Sequence, residues 1–355
     1  MKKTLIALAV LAPWAASSAQ TANVTLFGIA DGAVRTVRNE GLGTVNSMVS
    51  GSNSTSRWGL RGSEDLGSGL RASFWLESGF ALDTGAIITN LFDRRATVSV
   101  SSNTVGELRL GRDFVPSYVG WSRFDPFSYV GVGGTNNFVS ATPLGPIRTA
   151  FGSNPNTTVR SSNAIQYFLP SGLAGVEGAL MYAPDEGGTA ANGLHLVKAG
   201  RLGYVAGPIN ASIAHTVTSN SLNVGADLKD TAVGVSYDFK VAKLAVAHRQ
   251  FKMLNAKQAN LLIAVTAPVG SGEFKASYNR ADMKGSVGTT VIDSNDAQQI
   301  AVGYVHNLSK RSALYGTYSR ISNKAAANFV VPGGASGLAG GRSSTGIEIG
   351  IRHTF

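Results

Sequence analysis

Arginines recur in this chain at strand-like spacings, each facing away from its apolar neighbours. In Ser56-Arg-Trp-Gly-Leu-Arg-Gly62, Trp58 and Leu60 take one face, and Arg57 and Arg61 the other. In Leu70-Arg-Ala-Ser-Phe-Trp-Leu-Glu77, the apolar face is Leu70, Ala72, Phe74 and Leu76, which leaves Arg71, Trp75 and Glu77 on the polar one. Val98 and Val100 set the apolar face of Phe92-Asp-Arg-Arg-Ala-Thr-Val-Ser-Val100. Parity then turns Arg95 to the polar face, and Arg94 joins it only if a bulge intervenes. Gly106-Glu-Leu-Arg-Leu110 sets Glu107 and Arg109 against Leu108 and Leu110, and Thr158–Tyr167 sets Arg160, Ser162 and Gln166 against Ile165 and Tyr167. A guanidinium stays charged at any relevant pH and presents several donors. A file of them on one wall could replace part of an anion's hydration shell and hand the ion from site to site, as rings of Arg or Lys do in anion pores.

Other chemistries find little support. There is no cysteine, so disulfides and thiolate metal sites are excluded. His195, His215, His248, His306 and His353 lie far apart, without HExxH or similar spacing. No serine sits in a Gly-x-Ser-x-Gly elbow with a convincing histidine and acid, which argues against an enzyme. The formal charge is +10, but no basic run with interleaved aromatics points to nucleic acid. No metal and no cofactor is expected.

The elements that must position the arginines are short strands. The chain opens with Met1-Lys-Lys, a short apolar run and the small residues Ser17-Ser-Ala19, which read as a signal peptide over residues 1–19 cleaved before Gln20. Only 15% of residues are charged and 43 of 355 are glycine, yet no stretch of residues 20–355 approaches 18 consecutive apolar residues. An exported chain of this composition fits a transmembrane β-barrel, whose membrane face is hidden in a period of two. After a first strand over 24–34, whose facing is ambiguous, and the segments above, candidate strands are 175–183, 194–204, 209–217, 231–239, 243–252, 259–267, 273–282, 297–305, 312–321 and 345–355. A hairpin of two roughly 10-residue strands, one short turn and one long loop takes about 40 residues. Residues 20–355 therefore hold about eight hairpins, an all-β, antiparallel barrel of about 16 strands in one domain. Tyr167, Tyr182, Tyr204, Tyr237, Phe239, Tyr304 and Tyr318, near strand ends, suit interfacial girdles. The last segment alternates up to Phe355, so that pairing with the first strand would leave no open edge in lipid.

One stretch breaks the alternation. After Asp113 the chain is rich in aromatics (Phe114, Tyr118, Trp121, Phe124, Phe127, Tyr129), while Pro116, Pro126 and four glycines up to Gly134 argue against a regular helix or long strand. A loop this apolar must pack against something, and in a closed sheet the available interior is the lumen.

Taken together, Val24-Thr-Leu-Phe-Gly28, Ser56-Arg-Trp-Gly-Leu-Arg-Gly-Ser-Glu-Asp65, Gly106-Glu-Leu-Arg-Leu-Gly-Arg112, Gly303-Tyr-Val-His-Asn-Leu-Ser-Lys-Arg-Ser-Ala-Leu-Tyr315 and Gly350-Ile-Arg-His-Thr-Phe355 resemble the Gram-negative trimeric porins. The likeness is to the anion-selective porins of β-proteobacteria in particular. It implies a sixteen-stranded barrel, a homotrimer, a third loop folded into the lumen and a terminal Phe355 read by the barrel-assembly machinery. Outer-membrane lipid and lipopolysaccharide would surround the barrel, and small anions and hydrophilic solutes would cross it. The family's arginine ladder falls on Arg57, on the Arg94-Arg95 pair and on Arg160, with Glu77 as an accompanying wall carboxylate. The resemblance favours Arg94 where parity favours Arg95. Enteric general porins carry several acids on the third loop. Here only Asp113 and Asp125 appear, balanced by Arg112 and Arg123, which speaks against cation selectivity.

The expected function is passive diffusion of small hydrophilic solutes with a preference for anions. The alternatives are an enzyme housed in an outer-membrane barrel, and an adhesin or structural barrel working through the Gly/Ser-rich loop over 333–344.

Overall fold

The structure, a computed structural model, describes residues 23–139 and 143–355. The signal peptide expected over residues 1–19 lies outside the described residues. Strand β1 spans Asn23–Asn39, and β2 comes in two pieces, Gly43–Ser50 and Arg57–Gly67. There follow β3 (Leu70–Gly79), β4 (Arg95–Ser102), β5 (Gly106–Phe114), β6 (Arg160–Phe168), β7 (Val176–Ala183), β8 (Leu196–Ala206) and β9 (Ile209–Ser219). The ring is completed by β10 (Leu228–Asp238), β11 (Lys243–Met253), β12 (Ala256–Val269), β13 (Gly272–Lys284), β14 (Ala297–Asn307), β15 (Ser312–Asn323) and β16 (Ser343–Thr354). Each strand pairs antiparallel with the next, and β16 returns to β1 from Ile29↔Thr354 to Asn39↔Ser344. Gly28 and Phe355 close the seam with a pair of backbone hydrogen bonds at 2.9 and 3.0 Å. Closure is what lipid demands, since an open edge would leave backbone groups unpaired.

The alternation read from the sequence is realised as two faces. Val98, Val100, Leu108, Leu110, Ile165, Ile347 and Ile349 are all exposed on the outside. Their strand neighbours Thr97, Ser99, Gln166 and Glu348 are buried on the inside.

The interruption of β2 has a local cause. Asp31 is buried on β1, and its carboxylate accepts the backbone N–H groups of Ser52 (3.3 Å), Asn53 (3.1 Å) and Ser54 (2.7 Å). It also accepts the hydroxyl of Tyr315 from β15. A carboxylate answered by four donors holds residues 51–56 off the ladder before β2 resumes. The first piece, Gly43–Ser50, is absent from the strands read in the sequence. Its outward residues include Thr44 and Asn46, so it carries no apolar period.

The third long-side loop, 115–159, folds into the barrel. It contains two short helices, α1 (Pro116–Ser122) and α2 (Pro146–Phe151), and a 3-10 turn at Thr135–Phe138. The helices correct the expectation of irregular chain: Pro116 and Pro146 open them, where a proline's missing N–H costs nothing and its fixed φ suits the first turn. Trp121, Phe124, Tyr129, Ile147 and Phe151 bury themselves against an inner wall kept low by Ala232, Ala245, Ala247 and Ala264. Burial of such side chains stabilises by about 1.5–3 kcal/mol each. Farther along, Val132 and Phe138 pack with Phe329 and Val331 of the last long loop, the Phe138 and Phe329 rings meeting edge to face at 4.9 Å. One side of the lumen is thereby filled by loop, and the side formed by β2 to β6 is left facing it.

Candidate ion passage

On that facing wall the inward parity of β2, β3 and β4 gathers charge. Glu77 pairs with Gly59 on one side and Arg95 on the other, so its carboxylate points inward, and so does Arg95. The Arg94 N–H donates to the Glu77 carbonyl at 3.2 Å, from the position just before β4 begins. Standing just ahead of the regular ladder, Arg94 is not bound by strand parity, and it turns inward as well: Arg94 Nε donates to Glu77 Oε1 at 2.5 Å. Arg94 and Arg95 therefore both face the lumen, at two different levels.

The upper level holds Arg57, Arg94 and Arg160 around Glu77. Arg57 Nε lies 3.6 Å from Glu77 Oε1, and its Nη1 donates to the Thr55 carbonyl at 3.1 Å. Arg160 has no carboxylate partner among the described residues: its Nε donates to the Arg94 carbonyl at 2.8 Å and its guanidinium lies 4.4 Å over the Phe114 ring. Three cations thus stand beside one carboxylate, which pairs with only two of them. Between them and the loop lies a cavity of about 400 Å³, whose loop side is Tyr118, Ser128, Tyr129, Val130 and Asn136. No Asp or Glu lines it. Tyr118, which the sequence reading did not single out as a site residue, stacks on Phe114 at 4.9 Å and meets Tyr129 edge to face at 5.1 Å. Nothing in the spacing of residues marks Tyr118 apart from the other aromatics of the loop.

The lower level, toward the short turns, is more nearly neutral. Arg95 lies 3.4 Å from Asp113, which also accepts Arg109 Nη1 at 2.7 Å, while Glu107 holds the same guanidinium through Nε at 2.9 Å. Arg61 and Arg95 each lie over the Trp75 ring, at 5.1 and 4.6 Å, and Arg109 covers Phe168 at 4.2 Å. Aromatic faces of this kind hold a guanidinium in place without consuming its charge.

The loop residues part company. Asp113 is buried among its arginines at the end of β5, and Asp125 is buried inside the loop, away from the cavity. Asp125 accepts the N–H groups of Phe127 (2.8 Å), Tyr129 (3.2 Å) and Thr135 (2.8 Å) and the Thr135 hydroxyl (2.7 Å). Burial pushes its pKa up, against the pull of those four donors. Arg123 leaves the cavity too, pairing with Glu177 at 2.6 Å beside Arg201. The loop thus brings no charge of its own to the upper level.

The loop is pinned by groups that sequence reasoning missed. Arg249 on β11 is fully buried and donates to both Asp230 oxygens at 2.9 and 2.7 Å, to the Thr158 carbonyl at 2.7 Å and to the Tyr129 hydroxyl at 3.3 Å. Ser117 of α1 donates to Asp230 at 2.6 Å. Glu348 on β16 accepts Arg35 Nε at 3.0 Å and the Val132 N–H at 3.2 Å, and Gln258 donates to the Phe138 carbonyl at 2.6 Å. These residues stand far apart along the chain and share a site only because the loop has folded inward.

The model of the family described as Gram-negative porin matches residues 7–326. Outer membrane porin protein 32 of Delftia acidovorans is 39% identical, with 100% of each chain covered. An outer membrane porin protein of Bordetella pertussis is 30% identical, again over 100% of each. Among solved structures, the anion-selective porin from Comamonas acidovorans is 36% identical and covers 94% of this chain and 100% of its own, with a TM-score of 0.78.

Proposed function

The chain belongs to the Gram-negative porin family, and on that premise we propose that it is an outer-membrane, water-filled channel whose preference for anions resides in Arg57, Arg94 and Arg160. Small hydrophilic solutes and ions diffuse through it passively. A solved relative bears the name anion-selective porin, and the arrangement here supports the same property. The observation that carries the reading is the upper level: three guanidiniums to one carboxylate, opposite a loop that contributes no acid to the cavity. An anion entering there gives up part of its hydration shell and meets several oriented donors, whereas a cation meets uncompensated positive charge. Arg95, Arg61 and Arg109 continue the path below, with Asp113 and Glu107 reducing the net charge. A reading as an enzyme or adhesin has no comparable constellation behind it.

We take the assembly to be a homotrimer, consistent with a trimeric porin among the structural neighbours. Phe355 serves it as the end of the closing strand and as the signal read by the barrel-assembly machinery. Its ring packs over Gly28, where any side chain would collide with it. Phe355→Asp should therefore lower the yield of heat-modifiable trimer in the outer-membrane fraction while leaving the conductance of the assembled remainder unchanged. Undiminished yield would contradict the role.

The channel reading is tested in planar bilayers. Steady open-channel steps and a reversal potential of the sign set by anion flux down a salt gradient are expected. A closed barrel, or a reversal potential of the opposite sign, would refute it.

A further inference from the structure

The outer face of β8 to β13 carries a row of lysines set by strand register. Lys229 on β10 lies directly opposite Lys252 on β11, Lys252 opposite Lys257 on β12, and Lys257 opposite Lys284 on β13. Val217 on β9 faces Lys229 on one side and Lys198 on the other, which carries the row on to β8. Parity with the exposed Leu202, Val233, Val246, Leu261 and Phe274 places all five ammonium groups on the lipid side of the wall.

Adjacent strands are about 4.8 Å apart, so four of these cations are rooted within about 15 Å of one another. Like charges directly opposite in a sheet destabilise it. Among the described residues, the one carboxylate within ion-pair reach of the row is Asp282, 3.8 Å from Lys284 and shared with Arg280 at 3.1 Å. The protein itself leaves Lys198, Lys229, Lys252 and Lys257 uncompensated.

Position indicates what compensates them. All five lie at the end of the barrel that carries the longer loops, which in such barrels is the extracellular side. The exposed apolar band begins just below them. An occupant must therefore bring anionic groups at headgroup level and tolerate hydrocarbon beneath, and the open convex surface offers a free ion no enclosing wall. We propose that the row Lys198, Lys229, Lys252, Lys257 and Lys284 binds the phosphate groups of a phosphorylated lipid in the outer leaflet. The proposal rests on the reading of the chain as an outer-membrane porin and adds a site to it. Lysine suits the task, as a compact, mobile point charge able to follow a headgroup that keeps its own motion.

The test places the full barrel in phosphatidylcholine nanodiscs and titrates fluorescent bisphosphorylated lipid A, its dephosphorylated form, and inorganic phosphate as a competitor. Lys229→Gln, Lys252→Gln and Lys257→Gln together should weaken retention of the bisphosphorylated lipid by roughly a hundredfold. Retention of the dephosphorylated lipid should already be weak in the parent. Equal retention by parent and triple variant would overturn the site. So would equal retention of the two lipids, which would reduce it to acyl contact, or competition by equimolar inorganic phosphate, which would make it a free-anion site. Lys252→Arg, which should keep affinity, and Lys252→Glu, which should lose it, serve if the triple variant folds poorly. Open-channel steps should persist in every folded variant; their absence from the parent would defeat the porin reading and leave the lipid result standing.

Discussion

Two walls of one lumen use the same side chain for opposite ends. On β11, Arg249 is 0% exposed and its charge is spent on Asp230, a carbonyl and a phenol. On β2, Arg57 is 25% exposed and lies 3.6 Å from a carboxylate that Arg94 already holds at 2.5 Å. The first site is neutral and closed, and it fastens the third loop. The second is in positive surplus and open to the cavity. What separates a structural arginine from one proposed to conduct is the ratio of guanidinium to carboxylate on the same face, together with access to water.

The largest effect is expected at the neutral site. Asp230→Asn leaves Arg249 buried with its charge unanswered, and removal of one partner of a buried pair costs about 3–5 kcal/mol. The thermal midpoint of the folded barrel should fall sharply, and the noise of open-channel current should rise as α1 and Thr158 lose their anchor. A midpoint unchanged from the parent would mean that Asp230 does not hold the loop. At the surplus site, Glu77→Gln should act the other way on selectivity. It removes the one negative charge among three cations, at a stability cost of about 1.5–3 kcal/mol for the lost charged hydrogen bonds, and should move the reversal potential further toward the anion limit. A shift toward zero would show that Glu77 orders the arginines more than it offsets them. The smallest effect is expected at Lys324, exposed at the start of the last long loop. Salt at about 0.15 M screens over roughly 8 Å, so Lys324→Ser should leave the reversal potential where it was. A clear shift would place part of the selectivity at the mouth.

Much of the wall is legible in sequence because one face of each strand must be apolar. Trp58 and Leu60 fix Arg57 and Arg61, and Val98 and Val100 fix Arg95. Arg94 is not legible in that way, since parity points it outward, and it turns in only because it stands ahead of the regular ladder, where it reaches Glu77. Gly43–Ser50 is missed because Thr44 and Asn46 stand on its outer face. The helix at Pro116–Ser122 hides behind a proline that can open a helix as readily as break one. Asp125 illustrates the limit on loops. Its place in the chain suggested a charge on the passage, and its four donors, all supplied by the loop's own turns, put it inside instead. The pinning pair Asp230 and Arg249, with Ser117, Tyr129 and Thr158, belongs to a geometry created by the loop's inward fold, and no period in the chain announces it.

Selectivity is proposed to lie in the surplus of cations at the upper level. The most direct test is the reversal potential of Arg57→Ser combined with Arg160→Ser, measured in a salt gradient across a planar bilayer. Two unit charges about 4 Å apart interact by roughly 4 kcal/mol at an effective dielectric near 20, so removing two of three cations from a narrow, poorly screened passage should bring the reversal potential close to zero while single-channel conductance stays near the parent value. A double variant that keeps the full anion preference would place the filter elsewhere and contradict the account.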